Sequence, residues 1–419
     1  MTEKRALLKQ RNFRWLWTGQ TISVLGSQLS GLALPVFAVT LLNVNEQQLG
    51  FLGTADNLAF LVFALLAGAW VDRWIKRRVM IVADLVRMLC VGAIPTLYFA
   101  GLFEYWQLLL LGAIIGTATV FFDVASQSLI PVLFKDDEIG AANSALETSS
   151  QFAGVGGPSL VGWLLTFLKA PFLLLADAFS FLISAVTLSF IKDTEVKAPV
   201  EERRPLRTEI AEGMKFVWTQ PIIRRISFTT ATSNLFTSLG AVLFPIYALR
   251  YLGMSVGVYG LVWSVAAVGG LLGAMSASKL MKLIGEGQLI VASCFVSGVG
   301  FALNPISALL PHEYSPVLVC VGEFLVSFTA LTYNITQVSA RQRLCPKPLL
   351  GRMNASIRFM VWGVMPIGSF IGGLIGQSFG VVTALTVGAI GNLFAALWIF
   401  FSPLRTMTNM PSAPQEAHA

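Results

Sequence analysis

About a dozen runs of roughly twenty apolar residues follow one another along this chain, and that succession constrains the fold more than any other feature. A run of that length, once helical, crosses the hydrocarbon core of a bilayer. The chain has 419 residues, 55% of them hydrophobic and 12% charged, and its mean hydropathy is +0.72. A soluble domain carries about twice that share of charge. Leaving so much apolar side chain in water would exceed the small net stability of a folded protein. The expected class is therefore an all-α membrane protein.

The first fourteen residues are polar and basic, and the first expected span covers 15–42, too long for a signal-peptide core. Further spans are expected at 49–71, 79–100, 106–130, 145–168, 171–191, 226–249, 256–279, 288–310, 316–340, 353–376 and 381–401, twelve transmembrane helices in all. Alternating these across the membrane tests them against charge. The segments on the N-terminal side hold all but four of the 29 Lys and Arg: Lys169 and Arg250 fall in outer loops, Arg87 and Arg358 inside spans. Retention of positive charge in the cytoplasm predicts that both termini are cytoplasmic, in the multi-pass topology of a bacterial inner-membrane protein. The net charge of +7 is thus a topology signal with lipid contact, and no nucleic-acid partner is expected.

The minor residues exclude other chemistry. His312 and His418 lie in a loop and the tail, so neither a His metal site nor a triad is expected. Cys90, Cys294, Cys320 and Cys345 are far apart with no CxxC spacing, so no zinc site or disulfide framework is implied. No GxxxxGK[ST] loop is present. The run Gly154-Val155-Gly156-Gly157-Pro158-Ser159 has the glycines of a dinucleotide loop without its preceding strand. No cofactor, metal or enzymatic activity is expected.

The polar stretch 192–225 carries Pro199 and Pro205 and ends in an amphipathic pattern, Thr208 to Trp218. It reads as a cytoplasmic linker with an interfacial helix. It separates a bundle at 15–191 from a second at 226–401, between a terminus at 1–14 and a tail at 402–419. The halves echo each other: Pro131, Asn143 and Gly157-Pro158 follow the fourth span, while Pro346, Asn354 and Met365-Pro366 follow the tenth. Two six-helix halves in parallel repeat are expected, an architecture that places a substrate near the midplane.

Between the second and third spans the chain reads Gly68-Ala-Trp-Val-Asp72-Arg73-Trp-Ile-Lys76-Arg77-Arg78. Gly68 permits close helix approach, Asp72 can cap or pair at a helix start, and the basic cluster holds the loop on the inner side. This loop resembles the signature of the major facilitator superfamily, with Ile75 where a second glycine is usual. The resemblance implies a gating charge relay of Asp72, Lys76 and Asp123, flanked by Gly68, Arg73 and Arg77. Gly154, Gly157, Pro158 and Gly162 are similar to the glycine-rich antiporter motif of that superfamily, although Val161 replaces a glycine. A small-residue helix interface with a proline kink reads equally well there. Phe121–Ala125, Glu209–Val217 and the run from Tyr333 through Gln342 to 351–358 resemble the drug:proton antiporter branch that includes macrolide efflux and enterobactin exporter proteins.

Charged side chains at membrane depth face a cavity, a partner or a proton path. Asp84 and Arg87 are three apart on one helical face and are expected to form a structural ion pair. Asp177 is expected to bond a neighbouring helix, and Arg358 to anchor the start of its span. Asp56 and Glu323 each lie seven residues inside the outer end of a span, about 10 Å deep. A carboxylate in an apolar cavity takes up protons more readily than one in water. Both are therefore proton-coupling candidates, with a hydrogen-bonded interhelical acid as the alternative. In the superfamily the first, fourth, seventh and tenth spans line the cavity. That assignment makes Gln20, Gln28, Asn234, Phe324, Phe328, Tyr333, Asn334 and Gln337 candidates for substrate contact, each also able to serve as interhelical glue.

The expected function is proton-driven efflux of an amphipathic or hydrophobic small molecule by a monomer in contact with membrane lipid. The energy source is the proton gradient. A siderophore exporter of the same fold and a lipid or metabolite transporter are the alternatives.

Overall fold

The structure, a computed structural model, describes residues 7, 10–71, 73–192, 206–346 and 349–408. These residues are helical almost throughout, and no strand occurs among them. In hydrocarbon each backbone N–H and C=O needs a partner within the segment, and the helix supplies one without an open edge.

The first helices are α1 (Arg11–Thr40), α2 (Glu46–Val71), α3 (Lys76–Phe99), α4 (Tyr105–Leu133), α5 (Asp136–Leu164) and α6 (Ala170–Ser189). A shorter helix, α7 (Leu206–Thr219), follows. Then come α8 (Pro221–Ala241), α9 (Val256–Ile284), α10 (Glu286–Ser307), α11 (Ser315–Leu344), α12 (Leu350–Trp362), α13 (Met365–Phe379) and α14 (Val381–Phe400). Among the described residues ten segments are long and apolar enough to cross a membrane, with α12 and α13 acting as one. Helices α2 and α5 stand where the second and fifth spans were expected. The first half of α5 carries Asp136, Glu138, Glu147, Ser149 and Gln151, which dilute its apolar character.

Two expected spans are broken. Helix α8 stops at Ala241, resumes over Phe244–Ile246 and ends in a π-turn at Tyr247–Tyr251. Pro245 has no N–H to continue the ladder, and a new start is where a proline fits. Pro366 does the same at the start of α13, after the break at Gly363 and Val364. The connection from α13 to α14 is one residue, Gly380, with φ at 89°, a conformation that side chains disfavour.

The chain divides into two compact units. One comprises Met1–Glu202 with Ser255–Gly260, and the other Arg203–Met254 with Leu261–Ala419. The main boundary falls inside the polar stretch 192–225. In the first unit α6 packs on α1 and α3, and α4 on α2 and α3. The second unit repeats much of this pattern: α14 packs on α8 and α10, and α11 on α10. Small residues set these approaches, as in other helix pairs that pack without a hydrophobic driving force. A Cβ added at Gly368 or Gly372 of α13 would lie 2.2 Å from the carbonyl oxygen of Leu235 or Leu239 on α8. Gly372→Val should therefore force the two helices apart, at about 1–3 kcal/mol. Its thermal midpoint in detergent should drop below that of the wild type, and an unchanged midpoint would contradict this packing.

Helix α7, the expected interfacial helix, packs against α12. Val217 is fully buried, in a cluster with Met353, Ile357 and Val361 of α12. Gly213 sits against the backbone of Arg352, and Glu212 pairs with the Arg352 guanidinium. At Val217 this apolar face is thus covered by protein, where lipid would have been an equally apolar partner. The amphipathic pattern is blind to that choice, because both partners are apolar.

Candidate functional site

Glu323 lies eight residues into α11 and is 7% exposed. Its neighbour Gly322 brings α11 against α10, since a Cβ there would stand 2.7 Å from the oxygen of Gly300. At that separation Asn304 of α10 reaches across, and its Nδ2 donates to Glu323 Oε1 at 2.8 Å. The Asn304 carbonyl in turn accepts from the Tyr247 hydroxyl at 2.5 Å, and that hydroxyl stands 2.6 Å from Ser307 Oγ. Tyr247 is fully buried at the start of the π-turn. Asn304 Oδ1 is buried and has no hydrogen-bond partner. An amide carries two donors and an acceptor. Asn304 can donate to a carboxylate or, with its amide rotated, accept from a carboxylic acid, so one neighbour serves both protonation states of Glu323. Asn304 was absent from the candidates drawn from the sequence. Its signal was an amide close to the short connection 308–314, near which Glu323 also lies on the next, antiparallel span.

Asp56 is placed differently. Its backbone is held by Gly116 of α4, whose added Cβ would come 2.7 Å from the Asp56 oxygen, while the residue is exposed on α2. The two acids, alike in depth by sequence, therefore occupy unlike settings. Glu323 is enclosed between two helices of its unit; Asp56 is open.

The charges of the first unit form a separate cluster. Arg87 pairs with Asp84, and the side chains are 5% and 0% exposed. The guanidinium lies over the rings of Phe122 on α4 and Phe181 on α6, 4.2 and 4.4 Å from their centroids. Cation–π contact of this kind is strengthened by desolvation. Asp177 on α6 accepts hydrogen bonds from Ser30 of α1 and from Ser180, the latter at 3.0 Å. These side chains lock α1, α3, α4 and α6 together.

Of the signature loop, Asp72 lies outside the described residues, and Gly68 falls within the last turn of α2. Arg73 stands in the turn, and Lys76 opens α3. The Arg77 guanidinium donates to the carbonyls of Ser189 and Ile191, at 3.2 and 2.8 Å, satisfying the end of α6. Asp123 is exposed on α4.

The glycine-rich run of α5 is only partly a close interface. Gly157 backs onto Gln28, and Gly162 and Gly260 meet so closely that an added Cβ at either would lie under 2.5 Å from the other. A Cβ added at Gly154 would meet nothing within 4 Å among the described residues. Pro158 sits within the continuous helix.

Three of the six amide and tyrosine candidates hydrogen-bond between helices. Gln20 donates to Ser126, Asn234 donates to the Val361 carbonyl at 2.9 Å, and the Tyr333 hydroxyl stands 2.6 Å from that of Thr230. Gln337 is buried and donates to Asn334 at 3.2 Å. Phe324 and Phe328 stack at 6.3 Å and are half-buried, with their backbones against Gly269 and Gly273 of α9. Asn334 is exposed. Among the described residues no group of three His, Cys, Asp or Glu could hold a metal ion.

A multi-pass helical membrane protein with isolated acids at depth, and with helices packed through glycine, has the build of a secondary transporter. The chain is 24% identical over 400 residues to the uncharacterized MFS-type transporter YvqJ of Bacillus subtilis, covering 93% of this chain and 92% of the relative. It is also 24% identical to the multidrug efflux pump Tap of Mycolicibacterium fortuitum, over 92% and 95% of the two chains. Macrolide efflux protein A of Streptococcus pyogenes is 22% identical, over 88% and 90%. Among solved structures, a bacterial homologue of the iron transporter ferroportin superposes with a TM-score of 0.73 at 20% identity, over 93% of this chain and 98% of that one. Residues 2–419 match the transmembrane secretion effector family, and the chain belongs to it as a transporter of the major facilitator superfamily.

Proposed function

We propose that this chain exports amphipathic or hydrophobic small molecules, of the drug or macrolide-type antibiotic class, by alternating access coupled to inward proton movement. On this reading twelve spans form two six-helix halves in a bacterial cytoplasmic membrane, with both termini in the cytoplasm. The working unit is a monomer that needs no cofactor beyond the proton gradient. Direction and substrate class follow the names of the full-length relatives. The shared packing of α3, α4 and α6 with that of α10, α11 and α14 supports the repeat.

Proton coupling rests on one observation: Glu323, buried in a membrane span with an amide neighbour able to satisfy it charged or neutral. Protonation favours one orientation of the transporter and substrate the other, so the two ligands share a single equilibrium. Asp56 is an exposed polar group within a helix that the bilayer would penalise, which supports access of water to it. Of the two deep cations an anionic siderophore could use, Arg87 is already engaged by Asp84 and two phenyl rings, whereas Arg358 is exposed beside the Trp362 ring. The siderophore alternative therefore stands second on the names of the relatives.

The test is accumulation of a broad panel of dyes, drugs and siderophores in an efflux-deficient bacterium, with and without the protein and an uncoupler. Lower accumulation of a lipophilic compound, restored by uncoupler, is expected. Unchanged accumulation across the panel, with folded protein in the membrane, would overturn the drug-export reading.

A further inference from the structure

Beside the turn that joins α2 to α3, an apolar groove of about 730 Å³ runs between α3 and α4 of the first unit. Val79, Val82 and Val86 form one wall, and Ile114 and Phe121 belong to the other. From Arg78 to Val86 it follows α3 for about 12 Å, taking 1.5 Å per residue. One end is of different character, with Arg73, Trp74 and Arg78 at its mouth. No acidic side chain lines it among the described residues.

The two arginines stand out from their neighbours. Lys76 has interactions of its own, and Arg77 donates to the end of α6. Arg73 and Arg78 are exposed, and neither guanidinium makes an ion pair or hydrogen bond among the described residues. Between them and the apolar wall, Trp70 and Trp74 stack on Phe121, with centroids 6.0 and 6.2 Å from it. Indoles of this kind settle at headgroup level in a membrane. The same side of α3 exposes Val82, Leu85 and Leu89, at 59%, 37% and 65%. The groove therefore opens on a face that meets hydrocarbon, where the abundant ligand is lipid.

We infer that this groove is a binding site for an anionic phospholipid, with its phosphate on Arg73 and Arg78 and an acyl chain along Val82 and Val86. Two exposed cations beside indoles and a hydrocarbon slot match the three parts of such a molecule: charged headgroup, interface and chain. A zwitterionic lipid has the same chain and a phosphate, but its own cation competes with the arginines. An uncharged cargo molecule uses the slot and leaves both cations unpaired.

Native mass spectrometry on the full chain, stripped of lipid in detergent and titrated with phosphatidylglycerol or phosphatidylcholine of identical acyl chains, tests the site. Phosphatidylglycerol should be retained more tightly, by about 25-fold if each arginine contributes the factor of about five typical of basic groups near a membrane surface. Arg73→Gln with Arg78→Gln should abolish that preference, whereas Arg73→Lys with Arg78→Lys should keep most of it. Val82→Trp, which fills the slot from its exposed side, should reduce retention of both lipids. Equal retention of the two lipids by the wild type would overturn the inference. So would a preference that survives the double glutamine variant, or displacement of bound lipid by an uncharged drug with no dependence on the two arginines.

Discussion

Glu323→Gln should reduce gradient-driven export to the level of cells lacking the protein, while downhill exchange of the same compound continues. Gln has nearly the size and shape of Glu and can still bond Asn304, so the α10–α11 contact stays satisfied. It has no proton to take up or release, so the linkage between proton and substrate is lost. Loss of both modes of transport, with the protein folded, would mean that Glu323 serves the conformational change and not the coupling. Asp56→Asn is the companion variant, since Asp56 is the other acid at comparable depth. If active efflux survives in each of the two variants, neither acid carries the coupling.

The second large effect concerns stability. Asp84→Ala should destabilise the first unit by about 3–5 kcal/mol, because Arg87 is then left as an uncompensated buried charge. Its guanidinium cannot reach water from between Phe122 and Phe181 without parting α4 and α6. Asp84→Leu combined with Arg87→Met should recover most of the loss, since replacing both partners by apolar groups removes the unpaired charge. Unfolding in mixed micelles measures the difference. Equal stability of Asp84→Ala and wild type would show that Arg87 finds another counter-ion, with Asp177 nearest in kind.

The two effects lie at different distances from what sequence alone can supply. The apolar runs locate most of the long helices within a few residues, because the length of a span is set by the bilayer, although α5 begins nine residues before its expected span. The breaks at Val242–Leu243 and at Gly363–Val364 were less legible. Pro245 and Pro366 mark them, yet Pro35, Pro95 and Pro131 sit inside continuous helices. A proline disrupts or is absorbed according to what neighbouring helices offer the freed carbonyl. The three-residue spacing of Asp84 and Arg87 puts them on one face, which local pattern can express. The rings that enclose Arg87 come from α4 and α6, and no local pattern reports them. Likewise the depth of Asp56 and Glu323 follows from counting residues, but their exposure depends on helix rotation, which brought Asn304 to one and left the other open. The amphipathic face of α7 was visible, and its partner α12, more than a hundred residues further on, was not.

The central claim is that one protein couples substrate export to proton entry through Glu323. It is tested most directly in proteoliposomes that carry the purified protein and a trapped pH-sensitive dye. Addition of a compound identified by the accumulation panel should drive proton movement opposite to that compound. The signal should disappear in Glu323→Gln while labelled substrate still exchanges. Substrate movement with no counter-flow of protons in the wild type would contradict the account, and so would proton movement that persists unchanged in Glu323→Gln.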